Sequence, residues 1–258
     1  MGRAVSLLSD FRNRVRAREP LLGCFVRTPH PMVVEVLAGG GLDCVCLDME
    51  HAPWDRRDLD VCLMAARACG LPALVRVPSG APHEVLNALD LGAAGVVVPH
   101  VRSEAEARAA AAAAAYGPGG RGYAGGTRAT RYLSPPMAER LAQARAETTV
   151  IVQIEDAEAL QHASAIAAVD GVDAVFIGRI DLTISLGETD PKNPRVLDAV
   201  DRVAAQCLDA GRTVGMFTPD IGELAGWRAK GVSLFLLSSD TAFVRAGAVK
   251  LRAEASLT

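Results

Sequence analysis

Aromatic residues are scarce in this sequence, at 4% of 258 residues, although half of the chain is hydrophobic. The core must therefore be built mainly from Ala, Val, Leu and Ile, which suits packed layers of strands and helices. Neither sign of charge dominates, since 27 basic and 30 acidic residues give a net charge of −3. Because the chain also lacks a Lys/Arg-rich stripe that would bind a phosphate backbone, we expect no nucleic-acid partner.

Long apolar runs are also missing. The existing runs are broken by charge or Gly, and the N-terminal segment carries Arg3, Asp10, Arg12 and Arg14. A membrane span or a secretion signal needs an uninterrupted apolar stretch. We therefore expect a cytoplasmic protein with no membrane partner. None of the six cysteines forms a CxxC pair, and most lie in apolar patterns, which predicts buried free thiols.

The pattern that is present is an alternation of short β-rich runs with helical stretches, repeated eight times without a long linker. Several runs are apolar on both faces, as in Val96-Val97-Val98, which is typical of a parallel sheet covered by helices. The predicted strands are 21–28, 43–50, 73–78, 95–100, 149–155, 174–178, 213–217 and 234–239.

An open doubly wound sheet would show the same alternation as a closed barrel. However, no strand is followed by a GxGxxG turn, and the Gly-rich segment 117–126 follows an alanine-rich helix instead. Eight units, in a chain close to the roughly 250 residues typical of such barrels, predict one α/β domain over residues 1–258, a (β/α)8 TIM barrel. We expect 6–16 to form a helix that caps the barrel bottom, and 117–134 to be the longest irregular region.

Polar residues gather at the carboxyl ends of four predicted strands, where the active sites of such barrels lie. Gln153 and Glu155 share one face of a strand, and inward polar groups there need a compensating partner such as a cation. Glu155 and Asp181 are therefore candidate ligands of a divalent metal ion. The alternative is a buried ion pair of Glu155 with Arg179 or Arg76.

Three other features predict contacts with a substrate. Arg76 ends an apolar strand, where a guanidinium is costly unless it meets an anion, either a substrate or a structural carboxylate. His51 follows Asp48 and Glu50, which can orient its ring, so it is the best acid/base candidate. The turn at 178–181 can direct backbone N–H groups at a carboxylate. His100, at the end of the fourth predicted strand, is a candidate for supporting the residues that contact the substrate.

Taken together, these segments resemble the HpcH/HpaI aldolase family of class II pyruvate-dependent aldolases. The resemblance covers nearly the whole chain. It rests on the segments 47–53 (LDMEHAP), 75–78 (VRVP), 89–92 (LDLG), Arg121-Gly122, 152–155 (VQIE) and 175–178 (VFIG) with Asp181-Leu182.

The resemblance implies that Glu155 and Asp181 hold Mg²⁺, Mn²⁺ or Co²⁺, that Arg76 steadies the enolate of a 2-oxo acid, and that His51 pairs with Asp48 or Asp90 as the acid/base. The implied substrate contacts are Arg76, Gln153, Gly178, Ile180, Asp181, Tyr123 and Phe217. The implied reaction adds a metal-chelated pyruvate enolate to an aldehyde, or reverses this, so that 4-hydroxy-2-oxo acids are formed or cleaved. A homohexamer, a dimer of trimers, is also implied, in which residues 121–126 reach a neighbour's active site.

The chain departs from the family's pattern at Arg179 and Ile180, where the family usually has a Pro and a small residue. Arg179 is predicted either to face outward at an interface or to bring positive charge to a second substrate carboxylate, and Ile180 to narrow the pocket. The second alternative for Arg179 leaves open a citrate synthase like those of some siderophore pathways, which condenses oxaloacetate with acetyl-CoA. A third hypothesis is a 2-oxo-acid binding protein without turnover.

Overall fold

Eight parallel strands form a closed barrel in this computed structural model, which describes residues 6–218 and 220–255. Each strand pairs with the next along the chain, and the last pairs with the first. This confirms the predicted (β/α)8 TIM barrel. The strands, numbered β1 to β8 in chain order, are Leu21–Val26, Cys44–Asp48, Ala73–Arg76, Gly95–Val98, Thr149–Ile154, Ala174–Ile177, Thr213–Met216 and Leu234–Ser239.

Helices lie between the strands and at both ends of the described chain. Several begin where the sequence supplies a capping group: the side chains of Asp55, Ser103 and Asn193 accept hydrogen bonds from backbone N–H groups in the first turn. The helices, numbered α1 to α11 in chain order, are Leu7–Arg16, Pro31–Ala38, Arg56–Ala68, Pro82–Asp90, Glu104–Ala114, Met137–Glu147, Ala163–Ala168, Arg179–Ser185, Pro194–Asp209, Leu224–Ala229 and Asp240–Glu254.

The core has two layers because side chains alternate across each strand. One layer lies between the strands and the surrounding helices and is rich in Val and Ala. The other fills the barrel interior with residues such as Cys46, Leu74 and Ile151. Phe11 and Val15 of α1 belong to this inner layer, so α1 closes the barrel bottom, as predicted.

The buried-thiol prediction is confirmed for Cys24, Cys44, Cys46, Cys62 and Cys207. Cys69 differs because it follows the last turn of α3, where it is exposed to solvent. All six are free thiols.

Two segments leave the regular pattern. Between α5 and α6 the chain has no helix or strand longer than the short 3₁₀ turn Arg128–Thr130, in agreement with the predicted irregular region. Helix α11, after β8, buries only its first residue, Asp240, among the residues described. Across residues 6–218 and 220–255, no helix combines the length and the apolar character that crossing a membrane requires.

Seven of the eight strands end one or two residues earlier than predicted. The residues that the prediction added include Glu50, His100, Glu155 and Phe217, and these leave the hydrogen-bonded ladder at the carboxyl end of the barrel. These polar or bulky residues were predicted as the ends of strands, but in the structure they belong to the loops that form the site.

Candidate active site

A pocket of about 430 Å³ opens at the carboxyl ends of the strands. That is the end at which barrels of this type hold their active sites. The pocket collects eight of the eleven residues that the sequence predicted for the site. They are Asp48, His51, Arg76, Gln153, Gly178, Ile180, Asp181 and Phe217.

Asp48 and Arg76 form a buried ion pair on one side of this pocket. The strand register sets Asp48 of β2 directly beside Arg76 of β3. Arg76 Nε donates to Asp48 Oδ1 at 2.9 Å, and Arg76 Nη2 lies 2.8 Å from Asp48 Oδ2. Burial alone would raise the pKa of Asp48, but the hydrogen bond and charge of Arg76 outweigh it and lower that pKa below its usual range. Asp48 is therefore held as a carboxylate.

Glu50, His100 and Glu155 converge beside this ion pair. One ligand atom from each residue lies within 4.8 Å of the other two. The His100 backbone N–H donates to Glu155 Oε1 at 2.9 Å, and to aim it there His100 adopts a left-handed backbone with φ +54°. Two carboxylates and an imidazole form a ligand set that suits a divalent cation.

The electrostatics of this group favour a positive charge beside it. Burial raises the pKa of Glu155 above its usual range, and the negative charge of Asp181 adds to that effect against the hydrogen bonds from Gln153 and His100. Burial also raises the pKa of Glu50. The negative charge of Glu155 adds to this rise, and the positive charge of Arg76 opposes it. Glu50 Oε2 and Gln153 Oε1 are buried without a hydrogen-bond partner. A cation would stabilise both carboxylates in their charged form.

The predicted alternative for Glu155, an ion pair with Arg179 or Arg76, is wrong. Arg76 pairs with Asp48 and lies 3.2 Å from Glu50 Oε2, and Arg179 pairs with Glu223. Within residues 6–218 and 220–255, the basic side chain in ion-pair range of Glu155 is His100, whose Nδ1 lies 3.5 Å from Glu155 Oε1.

Gly178 makes room for the Glu155 carboxylate. A Cβ atom at Gly178 would lie 2.5 Å from Glu155 Oε2 and 2.8 Å from Glu155 Cβ, too close for any side chain. The residue after β6 must therefore be glycine for Glu155 to keep this position. Asp181, one turn further on in α8, lines the pocket but is not part of the tight cluster of Glu50, His100 and Glu155.

His51 lies at the edge of the pocket with its side chain 47% exposed. Its backbone N–H donates to Asp48 Oδ1 at 3.3 Å, whereas its ring Nε2 lies 3.6 Å from Glu50 Oε2. The His51 ring therefore contacts Glu50 and not Asp48 as predicted, because the Asp48 carboxylate accepts the backbone N–H of His51 in the turn at 48–51.

Arg179 is completely buried, so the prediction that it faces outward at an interface is wrong. Arg179 Nη1 donates to Glu223 Oε2 at 2.7 Å. Since a buried guanidinium needs a carboxylate partner, the fold neutralises Arg179 internally. Arg179 also lines the pocket, but because Glu223 already pairs with its charge, no substrate carboxylate is needed to neutralise it. Ile180, beside it, lines the pocket and is 39% exposed.

Asp90 and Tyr123 do not lie at this pocket. Asp90 ends α4, close to the start of β4, and so occupies the opposite end of the barrel. Its Oδ1 lies 3.8 Å from Arg121 Nη1. Tyr123 packs against Tyr116, with ring centroids 5.6 Å apart. Within one chain, His51 has no access to Asp90.

Sequence analysis missed Glu50 as a candidate ligand and gave His100 only a supporting role. A signal was available for both: Glu50 follows Asp48, the last residue of β2, by two positions, and His100 follows β4 by two positions, next to the strand that leads to Glu155. What the sequence did not reveal is the left-handed turn that brings His100 back over the barrel.

Known proteins resemble this chain over most of its length. The sequence model of the family described as HpcH/HpaI aldolase/citrate lyase matches residues 21–246. A "Pyruvate aldolase" of Rhizobium etli is 35% identical over 95% of this chain and 97% of its own length. A "4-hydroxy-2-oxovalerate aldolase" of Rhodococcus jostii is 36% identical over 93% of this chain and 96% of its own.

Solved structures show the same similarity. An HpcH/HpaI aldolase/citrate lyase family protein from Burkholderia cenocepacia superposes with a TM-score of 0.89 at 36% identity, covering 96% of this chain and all of that one. A structure described as a citrate synthase superposes with a TM-score of 0.84 at 27% identity, covering 95% of this chain and 96% of that one.

Proposed function

This chain belongs to the HpcH/HpaI aldolase/citrate lyase family and is an aldolase of the lyase type, and we propose that its pocket binds a 2-oxo acid such as pyruvate beside a divalent cation. The reaction would join the oxo acid to an aldehyde, or cleave the 4-hydroxy-2-oxo acid that results. The observation that carries this proposal is the convergence of Glu50, His100 and Glu155 next to the Arg76 side of the pocket.

The residues present fit a divalent cation. Glu155 with Asp181 or Glu50 would supply oxygen ligands, and His100 an imidazole, a set that suits Mg²⁺, Mn²⁺ or Co²⁺. The buried Gln153 Oε1 without a hydrogen-bond partner and the space that Gly178 leaves beside Glu155 both support this fit. When bound, such an ion supplies Lewis acidity toward a carbonyl oxygen.

The chain's own residues would position the substrate and move the proton. Arg76, fixed by Asp48, presents a planar cation to a carboxylate or enolate oxygen. The buried amide of Gln153 would contact the oxo acid on the neighbouring side of the pocket. His51 Nε2, half exposed at the edge, would accept the proton that leaves C3 of the oxo acid and return it to the aldehyde oxygen once the carbon–carbon bond has formed. No net proton is consumed.

A direct test follows the C3 hydrogens of pyruvate by NMR in deuterated water, with no aldehyde present. We expect the purified protein to exchange these hydrogens when Mg²⁺, Mn²⁺ or Co²⁺ is supplied and to lose at least about 100-fold of that rate after EDTA treatment, because the enolate charge is then unsupported. Re-addition of the cation should restore it. Full exchange in EDTA-treated protein would refute the metal requirement, and binding without any exchange would favour a non-catalytic 2-oxo-acid binding protein.

The citrate synthase alternative loses the feature that kept it open. It relied on Arg179 as a free cation for an additional carboxylate, and Glu223 neutralises Arg179 inside the protein. Free CoA release from oxaloacetate and acetyl-CoA remains the assay that distinguishes it from an aldolase. We expect no thiol signal above background.

We propose a homo-oligomer, a hexamer made of two trimers. Helix α11 supports it, because Phe243, Val244, Val249 and Leu251 expose between 44% and 75% of their surface on a helix that buries only Asp240. An apolar helix surface of this kind needs a partner. Residues 122–126 do not line the pocket of their own chain and are exposed or half-buried, so they are available to a neighbour, whereas Arg121 is buried.

Sedimentation velocity tests the assembly. We expect the mass of six chains in the wild type and a smaller species when Val244→Asp and Val249→Asp are combined, since two buried charges would oppose the contact. A wild-type monomer that is fully active would contradict the proposal.

A cytoplasmic location is also proposed, because the six free thiols fit a reducing compartment, and cell fractionation tests it.

A further inference from the structure

Two arginines are buried outside the candidate active site. Arg121 lies in the irregular segment between α5 and α6, and Arg140 lies on α6. They expose only 5% and 3% of their surface. Tyr116 contacts both, because the Arg121 guanidinium lies over its ring at 4.1 Å from the centroid and Arg140 Nη2 donates to its hydroxyl at 3.5 Å. A guanidinium removed from water needs a negative charge and acceptors for its N–H groups.

The surrounding protein supplies too few acceptors for these two side chains. Within residues 6–218 and 220–255, Arg121 Nε, Nη1 and Nη2 and Arg140 Nε are buried without a hydrogen-bond partner. The carboxylate in ion-pair range is Asp90, whose Oδ1 lies 3.8 Å from Arg121 Nη1, too far for a hydrogen bond. Closing that distance would satisfy one nitrogen of Arg121 and leave the others. Two positive charges and one negative charge also leave one positive charge uncompensated.

A cavity of about 20 Å³, near the amino ends of β4 and β5, is lined by both arginines. This volume holds one water molecule or one small ion. Glu147 lines the cavity as well, but its Oε1 accepts hydrogen bonds from Ser6 Oγ at 2.6 Å and Gln143 Nε2 at 3.2 Å. Across the described chain, Glu147 lies outside ion-pair distance of either arginine. The free donors and the uncompensated charge therefore border an enclosed space of the right size for an ion.

The electrostatics of the group agree with this geometry. Burial lowers the pKa of Arg121 below its usual value, the charge of Asp90 opposes that effect, and the charge of Arg140 adds to it. A water molecule in the cavity would accept N–H groups but would leave the positive charge uncompensated. A monovalent anion would supply both the acceptor and the missing charge.

We propose that Arg121 and Arg140 bind one small monovalent anion, of the class of chloride, in this cavity. Phosphate and carboxylic acids are too large for it. The ion would join the irregular segment to α6 beside the end of α4, where Asp90 lies. Because the cavity and the candidate active site lie at opposite ends of the barrel, the proposal does not depend on the proposed function.

Crystals of the wild-type protein grown with sodium bromide test the site directly, since bromide replaces chloride and scatters X-rays anomalously. We expect an anomalous peak in contact with the guanidinium groups of Arg121 and Arg140. A water molecule in the cavity with no anomalous peak would overturn the proposal.

Thermal unfolding tests whether the ion binds in solution. Sodium chloride is compared with sodium gluconate at equal ionic strength, because gluconate is too large for the cavity. We expect the wild-type midpoint to be about 2 °C or more higher in chloride, since a ligand that binds only the folded state raises it. Arg140→Met should lose this difference, because it removes one of the two cations and keeps an apolar side chain.

Arg145→Met is the matched control, since Arg145 is exposed on the same helix and does not line the cavity. It should keep the wild-type difference between chloride and gluconate. A difference that persists in Arg140→Met, or is absent from the wild type, overturns the proposal. A bromide peak without a chloride effect in solution means an adventitious ion only, and has the same consequence. If Arg140→Met does not fold, the bromide peak and the wild-type difference decide.

Discussion

Replacing Glu155 with glutamine is expected to weaken cation binding by at least about 100-fold and to lower aldol turnover by about 1000-fold or more, since several kcal/mol of charge stabilisation would be lost. Glutamine keeps the size of the side chain and accepts the His100 N–H, and its NH₂ group can donate to Gln153 once the Gln153 amide turns over, so loss of the charge is the main change. Isothermal titration with Mn²⁺ and steady-state kinetics would measure the two effects.

The same variant separates a metal ligand from a structural carboxylate. A buried carboxylate without an Arg or Lys partner does not stabilise the fold, because its desolvation is uncompensated. We therefore expect the metal-free Glu155→Gln protein to be at least as stable to urea as the metal-free wild type. Glu158→Gln, at a carboxylate that is 65% exposed and ion-paired with Arg102, should change neither binding nor turnover. Marked destabilisation with intact cation binding would show that Glu155 is structural.

Replacing His51 with asparagine is expected to slow both pyruvate hydrogen exchange and aldol turnover by about 100-fold or more, the usual contribution of a general acid/base. Mn²⁺ and pyruvate affinities should stay within about 3-fold, because the side chain is half exposed and its fixed hydrogen bond to Asp48 uses the backbone N–H. The required measurements are the exchange rate and binding of pyruvate in the presence of the cation.

His83→Asn provides the control for this experiment, since His83 lies on α4 and is 74% exposed away from the pocket. It should exchange pyruvate at the wild-type rate. If His51→Asn loses cation or pyruvate binding together with turnover, His51 is a ligand or a structural residue. Unchanged exchange would assign the proton transfer to another group.

Much of the barrel followed from local patterns. The alternation of β-rich and helical runs placed all eight strands, and the helix at 6–16 was found where predicted. The strand ends were less predictable, because Glu50, His100 and Glu155 extend the polar–apolar pattern beyond the last ladder hydrogen bond. Sequence periodicity does not distinguish a strand residue from the loop residue that follows it.

The sequence predicted which residues form the site better than it predicted which of them pair with each other. Asp48 and Arg76 are 28 positions apart, and only the parallel register brings them side by side. Arg179 could not be interpreted from the sequence, because its partner Glu223 lies on a segment after the next strand, 44 positions away. Asp90 and Tyr123 were assigned to the site by resemblance, and the single chain holds them elsewhere.

The sequence by itself determined the barrel, the end at which the pocket lies and most of the residues that line it, because periodicity and strand-end polarity are local properties. Only the tertiary structure decided which charges are paired and which remain available. It joined Arg179 to Glu223 and brought Glu50 and His100 next to Glu155. Charge pairing depends on distances between segments far apart in the chain, and these exist only once the barrel has closed.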